Sequence, residues 1–171
     1  MKYAIALTIA AFAIVPQGRA QEGVTQNKLG QDFLKHWTTA RELTLAVAKA
    51  MPAGNYDFKP VPEEMSFGEQ MVHIAAANFA YCSRITGSKS PYSKPDNSSQ
   101  PTALQVLTQS FDYCAQAVEG AKDFDAMRGP EGRQMSVREV MLGAYAHMAH
   151  HRGQAEVYLR LKGIKPPTYN F

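Results

Sequence analysis

Five histidines and two cysteines carry most of the chemistry open to this 171-residue chain. His147 and His151 are four residues apart, so on a helix their side chains lie one turn apart on one face. That spacing lets two imidazole nitrogens meet a single metal ion at about 2.0–2.1 Å. Two ligands are rarely enough. His73, inside the apolar stretch Met71-Val72-His73-Ile74-Ala75-Ala76-Ala77, is the natural third. Alone, such a histidine is better explained as a hydrogen-bonded core residue; beside an inward-facing pair it reads as a ligand. Three neutral imidazoles leave at least one coordination position for water or substrate, the open pattern of catalytic sites. A cation held that way lowers the pKa of bound water toward about 7 or polarises an oxygen.

The other polar candidates are weaker. On the helical wheel His150 is about 100° from His151, which fits a supporting or interface role better than ligation. Gln70, Asn78, Tyr81 and Gln154 are placed to flank the pocket, and reading them as packing or surface residues is equally open. His36, beside Trp37, has no assigned task. Arg152 reads as the partner of an acidic neighbour or of a second subunit, and Gly153 as a point of close helix approach. No carboxylate is placed as a general base, because Glu69 and Glu139 are better explained as helix caps.

The elements that must position these residues are all helical. Leu29, Phe33, Trp37, Leu43, Val47 and Ala50 recur at helical spacing, predicting a first helix over 28–51 stopped by Pro52-Ala53-Gly54. Residues 21–27 read as a polar, frayed lead-in. Ser66-Phe67-Gly68-Glu69 is a capping box opening a second helix to Thr86, ended by Gly87 and apolar almost all round. Residues 88–101, rich in Ser, Pro, Lys and Asn, read as a loop without a core signal. A third helix is predicted over 102–119. Residues 121–135 read as a loop, with no convincing strand anywhere. A second capping box, Ser136-Val137-Arg138-Glu139, opens a fourth helix that ends at Gly163 before Pro166-Pro167. Along it Val140, Ala144, His147, His151, Gln154, Tyr158 and Leu161 form one seam, which turns the two imidazoles toward the bundle interior. The fold class is therefore all-α, a four-helix bundle.

Two residue sets choose the topology. His73 lies about 13 residues from the end of helix two, and the His147/His151 midpoint about 13 from the start of helix four. Antiparallel packing puts the three rings at one level, whereas parallel packing offsets them by about 9 Å. Cys82 and Cys114, the only cysteines, read as a disulfide rather than as a catalytic thiol, since neither has a neighbour that clearly lowers its pKa. Parallel helices two and three bring their heights within about 6 Å, against about 12 Å if antiparallel. The 88–101 loop is long enough to return a full helix length. Both pairs select up-down-down-up.

The first twenty residues read as an address. Lys2 precedes an apolar run over 3–15, and Gly18-Arg19-Ala20 offers small residues around a cut after Ala20. The run spans about 20 Å as a helix, too short for a hydrocarbon core, so no stable membrane anchor is expected after cleavage. The expected organisation is a signal peptide over 1–20, one domain over 21–171, and a periplasmic or secreted location where a disulfide persists. The whole chain has ordinary globular composition, 45% hydrophobic and 19% charged, enough for one domain. Its formal charge of +3 drops to about +1 without Lys2 and Arg19, so no nucleic-acid partner is expected.

Two stretches carry a resemblance: Met65-Ser66-Phe67-Gly68-Glu69-Gln70-Met71-Val72-His73-Ile74-Ala75, and Ala146-His147-Met148-Ala149-His150-His151-Arg152-Gly153-Gln154-Ala155-Glu156-Val157-Tyr158-Leu159-Arg160. With His-x-x-x-His followed by Arg-Gly-Gln and Tyr-Leu-Arg, the chain resembles the DinB-like (damage-inducible) superfamily of metal-dependent enzymes from helix one to about Pro167. The resemblance implies an up-down-down-up bundle, a divalent metal (Zn or Ni) on His73, His147 and His151, and frequent homodimers. It also implies thiol-dependent transferases and isomerases using low-molecular-weight thiols, from whose cytosolic pools a leader would remove this chain. The leading expectation is an exported metal-dependent hydrolase or thiol transferase acting on a small molecule. The alternative is a non-catalytic metal- or ligand-binding bundle whose metal is structural.

Overall fold

The computed structural model describes residues 17–169, with side chains from Gln26 onward. Most of the expected leader therefore lies outside the described residues. Four helices, α1 (Gln17–Ala50), α2 (Phe67–Thr86), α3 (Gln100–Gly120) and α4 (Val137–Leu161), form an up-down-down-up bundle. Helix α1 begins well before the predicted 28, running through the polar segment expected to fray and through the Ala20 junction. Gln26 shows one reason: its amide donates to Asp125 at 2.8 Å and accepts from the Phe124 N–H at 3.0 Å, so this part of α1 is tied to the connection between α3 and α4.

Helix starts follow the local chemistry. Ser66 Oγ accepts from the Glu69 N–H at 3.2 Å while the Glu69 carboxylate accepts from the Ser66 N–H at 2.7 Å. Ser136 and Glu139 repeat the pattern at 3.3 and 2.7 Å. The Ser66 and Ser136 backbone N–H groups hold both carboxyls below the usual range, so each cap stays charged and complements its helix dipole. Gly87, at φ 70°, ends α2 in the left-handed conformation that a side chain resists.

Cross-helix contacts give the directions. Asn78 donates to Ser110 at 3.2 Å and Cys82 is disulfide-bonded to Cys114, with Cα atoms 5.1 Å apart, so α2 and α3 run parallel. Gln70 meets Tyr158, and Tyr81 packs on Gly143, so α2 and α4 are antiparallel. Gln100 Nε2 donates to Met51 O at 2.8 Å, placing the α3 start against the α1 end. The core lies along the axis, where the Trp37 ring packs 4.9 Å from Phe111 and its indole N–H donates to Phe111 O.

Three local expectations are corrected. Met127–Arg128 and Met135–Ser136 pair as a short antiparallel hairpin where no strand was expected, turned by Gly129 and Gly132 at φ 107° and 77°. Strands of two residues are too short to show alternation. Helix α2 is not buried all round: gripped between α3 and α4, it leaves Val72, His73, Ala76 and Ala77 half-buried and Ala80 exposed. The segment 88–99 does have packing. Tyr92 lies 5.8 Å from Phe79, and a Cβ on Gly68 would collide with the Ser98 backbone, so the segment is pressed along α2 from its first turn to Phe79.

The disulfide closes residues 32 apart in sequence, which by chain entropy is worth about 4 kcal/mol. Reduction, or a Cys82→Ala/Cys114→Ala variant, is expected to lower the thermal midpoint by roughly 10 °C. A midpoint unchanged on reduction would show that the bridge adds nothing to stability.

Candidate metal centre

His73 comes from the open stripe of α2, while His147 and His151 come from one face of α4. Antiparallel packing sets them at the same level. Ring centroids are 5.0 Å apart for His73–His147, 4.5 Å for His73–His151 and 4.5 Å for His147–His151. One nitrogen from each lies within 4.8 Å of the others, the group among the described residues that could hold a metal ion. All three rings are half-buried. This corrects the inward seam: the fully buried stripe of α4 runs through Val140, Met141, Ala144, Met148, Ala155 and Leu159, and the histidines flank it along the α2–α4 groove. Leu161, expected in the seam, is exposed.

The surrounding groups divide clearly. Gln70 is fully buried, and its Oε1 lies 2.8 Å from His151 Nδ1. The Tyr81 ring is 6.0 Å from His147. It reaches that place because Gly143 has no side chain; a Cβ there would press on the Tyr81 ring edge. Gly143 is thus the close-approach glycine, whereas Gly153 faces open space. Gln154 sits one turn beyond His150, and its side chain reaches the His151 ring. His150 is exposed, edge-on to His151 at 4.9 Å, outside the three-nitrogen group. Asn78 is not brought to the site: it faces α3 and bonds Ser110. Arg152 is buried beside Glu156 at 3.8 Å, with the Tyr169 ring 5.3 Å from its guanidinium. His36 lies on the other side, lining a groove between α1 and α4.

Sequence reasoning missed two contributors. Tyr158, counted only as part of a seam, is 4% exposed and hydrogen-bonds behind Gln70. Tyr92, in a stretch read as plain loop, helps enclose a cleft of about 440 Å³ beside His73, with Val72, Ala76, Lys94 and Ser98. A lone aromatic in a run of Ser, Pro, Lys and Asn was the available signal.

The electrostatics suit a cation. Burial, then the His147 and His73 charges, push the His151 pKa down to about 4. Burial and the same like-charge repulsion from His73 and His150 lower His147. Both rings are thus neutral near pH 7, with lone pairs available. His147 Nδ1 is buried without a hydrogen-bond partner, an unmet need that a cation answers. A set of imidazoles with no carboxylate or thiolate in the cluster suits Zn, Ni, Cu or Fe better than Mg or Ca. The residues fit a divalent cation.

A sequence profile of the DinB family matches residues 24–171. The chain belongs to the DinB family. Among curated relatives, the uncharacterized protein YjoA of Bacillus subtilis is 26% identical over 144 residues, spanning 80% of this chain and 90% of that protein. The crystal structure of YjoA, described as a DinB-like protein, matches at a TM-score of 0.69 and 21% identity, over 81% of this chain and 96% of that one. A DinB-like protein from Bacillus cereus matches at 0.70 and 22% identity, over 82% and 97%. At these identities the solved structures speak for the fold of this DinB-family chain, and its own residues must speak for the site.

A histidine whose pKa is lower folded than unfolded makes the folded state weaker as pH falls, because the unfolded chain takes up the proton first. For His151 the window runs from the ordinary value, 6.5, down to about 4. The metal-free protein is therefore expected to lose thermal stability between pH 7 and pH 5, and a His151→Gln variant to lose less. Parallel melting curves at the two pH values check this; an identical slope in the variant would contradict it.

Proposed function

We propose that this DinB-family chain is an exported metal-dependent enzyme, a hydrolase or thiol transferase, with a divalent cation, Zn or Ni, on His73, His147 and His151. The observation that carries the reading is the convergence of three half-buried imidazole donors next to a cleft. When bound, the cation supplies Lewis-acid polarisation of a substrate oxygen or activation of a thiol. The chain's own residues do the rest. A cleft of about 440 Å³ is in the range of small-molecule sites. Val72, Ala76 and Tyr92 give it an apolar wall, and Lys94 and Asp96 add one charge of each sign at its lining. Glu69 also lines it, but its carboxylate is held by Ser66 and by Lys59 at 3.4 Å and is not free to act as a base.

A structural metal is the competing reading. Against it stands the packing of α2, which is already held to α4 through Gln70 and Tyr158 and to α3 by the disulfide. The proposal extends to export and assembly. Export is supported by the Cys82–Cys114 bridge, since disulfides persist in oxidising compartments. Among the described residues no helix is long and apolar enough to cross a membrane. A homodimer is supported by the apolar groove of Leu29, Phe33, Met141 and Tyr145, where Leu142 is 69% exposed.

Elemental analysis of untagged protein is expected to give about one divalent ion per chain, lost in a His73→Ala/His147→Ala/His151→Ala variant. Turnover of an ester or thiol-acceptor panel should then vanish on chelation while the far-UV helical signal persists. No metal after reconstitution would end the enzyme reading. Unfolding on chelation, with no turnover beforehand, would establish the structural one. N-terminal sequencing of the secreted product should begin at Gln21.

A further inference from the structure

Behind His151 lies a chain of hydrogen bonds whose direction is set at one end. The Tyr158 hydroxyl is 3.0 Å from Met65 O. A backbone carbonyl only accepts, so the hydroxyl proton is committed to it and the phenol oxygen is left to accept from its other neighbour. That neighbour is Gln70 Nε2 at 3.4 Å. With its nitrogen turned to Tyr158, the amide must turn Oε1 toward His151, whose Nδ1 is 2.8 Å away. An amide oxygen also only accepts, so Nδ1 carries the hydrogen and the lone pair of the neutral ring sits on Nε2. Gln70 is fully buried and Tyr158 is 4% exposed, so water has little access to break the sequence.

We propose that Met65 O, Tyr158 and Gln70 form a directional relay that locks His151 in its Nδ1–H form, presenting Nε2 alone to a cation. Gln70 and Tyr158 are positioning residues: neither is in the three-nitrogen group, and both act through His151. A reversed amide would aim N–H groups at Nδ1, move the ring hydrogen to Nε2, and block the donor. Without the Tyr158 hydroxyl nothing opposes that reversal. The tautomer claim stands on the hydrogen bonds; only its consequence for metal binding rests on the metal reading proposed above.

The test is long-range ¹H–¹⁵N NMR of the imidazoles in the metal-stripped full chain, beside Zn²⁺ affinity measured against a chromophoric chelator. The parent should show a single Nδ1–H form at His151. Gln70→Glu, which keeps an oxygen facing Nδ1, should preserve that form and bind Zn²⁺ within about tenfold of the parent. Gln70→Leu should lose it and bind about 10- to 100-fold more weakly. Tyr158→Phe, a single hydroxyl removed, should give mixed tautomers and an intermediate affinity; it decides the matter if the Leu variant fails to fold. An Nε2–H form in the parent, or one unchanged tautomer in both Gln70→Leu and Tyr158→Phe, overturns the relay. If the parent binds no Zn²⁺ the metal reading falls, while the tautomer spectra still decide the relay.

Discussion

The grip on α2 from two sides is the constraint on which the site depends. Along one flank it is tied in parallel to α3 by Asn78–Ser110 and the Cys82–Cys114 bridge. Along the other it lies antiparallel to α4 through Gln70–Tyr158 and Tyr81–Gly143. The first contact set fixes the axial height of α2, and the second fixes its rotation. With both set, His73 stands opposite an i,i+4 pair without any ring hydrogen-bonding another. A slip of one helical turn is about 5.4 Å, larger than any of the ring separations, and would separate the donors.

A cost accompanies that arrangement. Burial first, and then the neighbouring imidazole charges, make His147 and His151 harder to protonate. Folding therefore keeps His151 neutral over a range where a free histidine would charge. The polar groups beside the rings are not all satisfied by protein: His147 Nδ1 is buried without a partner. With Gln70 and Tyr158 fully engaged just behind, a supporting layer that is complete is separated from a front that is not.

Much of the bundle was legible because its signals are local. The two Ser–Glu caps act over three residues, Gly87 and Gly163 mark ends by backbone conformation alone, and helix periodicity needs no partner. Topology was legible through an indirect route, since matching heights for His73 with His147/His151 and for Cys82 with Cys114 admitted one arrangement. What escaped was tertiary. Gly153 and Gly143 look alike in sequence, and only packing shows that Gly143 makes room for Tyr81. Asn78 and Gln70 are both polar residues on α2, yet rotation sends one to α3 and the other to His151. The half-exposure of the histidines depends on which flank of α4 faces a neighbour, which periodicity fixes only to within a side chain's width. The hairpin at 127–136 was too short to register.

Parallel neighbours within a bundle cannot be joined by a tight turn, and the connection from α2 to α3 has to travel back the full height of the molecule. It does so over the open stripe of α2, held by the Tyr92–Phe79 contact and by the lack of a side chain at Gly68. The wall of the cleft that faces α2 beside His73 is thus a by-product of chain topology, built from a segment that contributes no helix and none of the three imidazoles. Residues there can be exchanged, lengthened or recharged while the caps, the bridge and the histidine geometry stay as they are. In a scaffold of this kind, one wall of the cleft and the His147/His151 pair are encoded in separate stretches of chain, and the first can diversify without displacing the second.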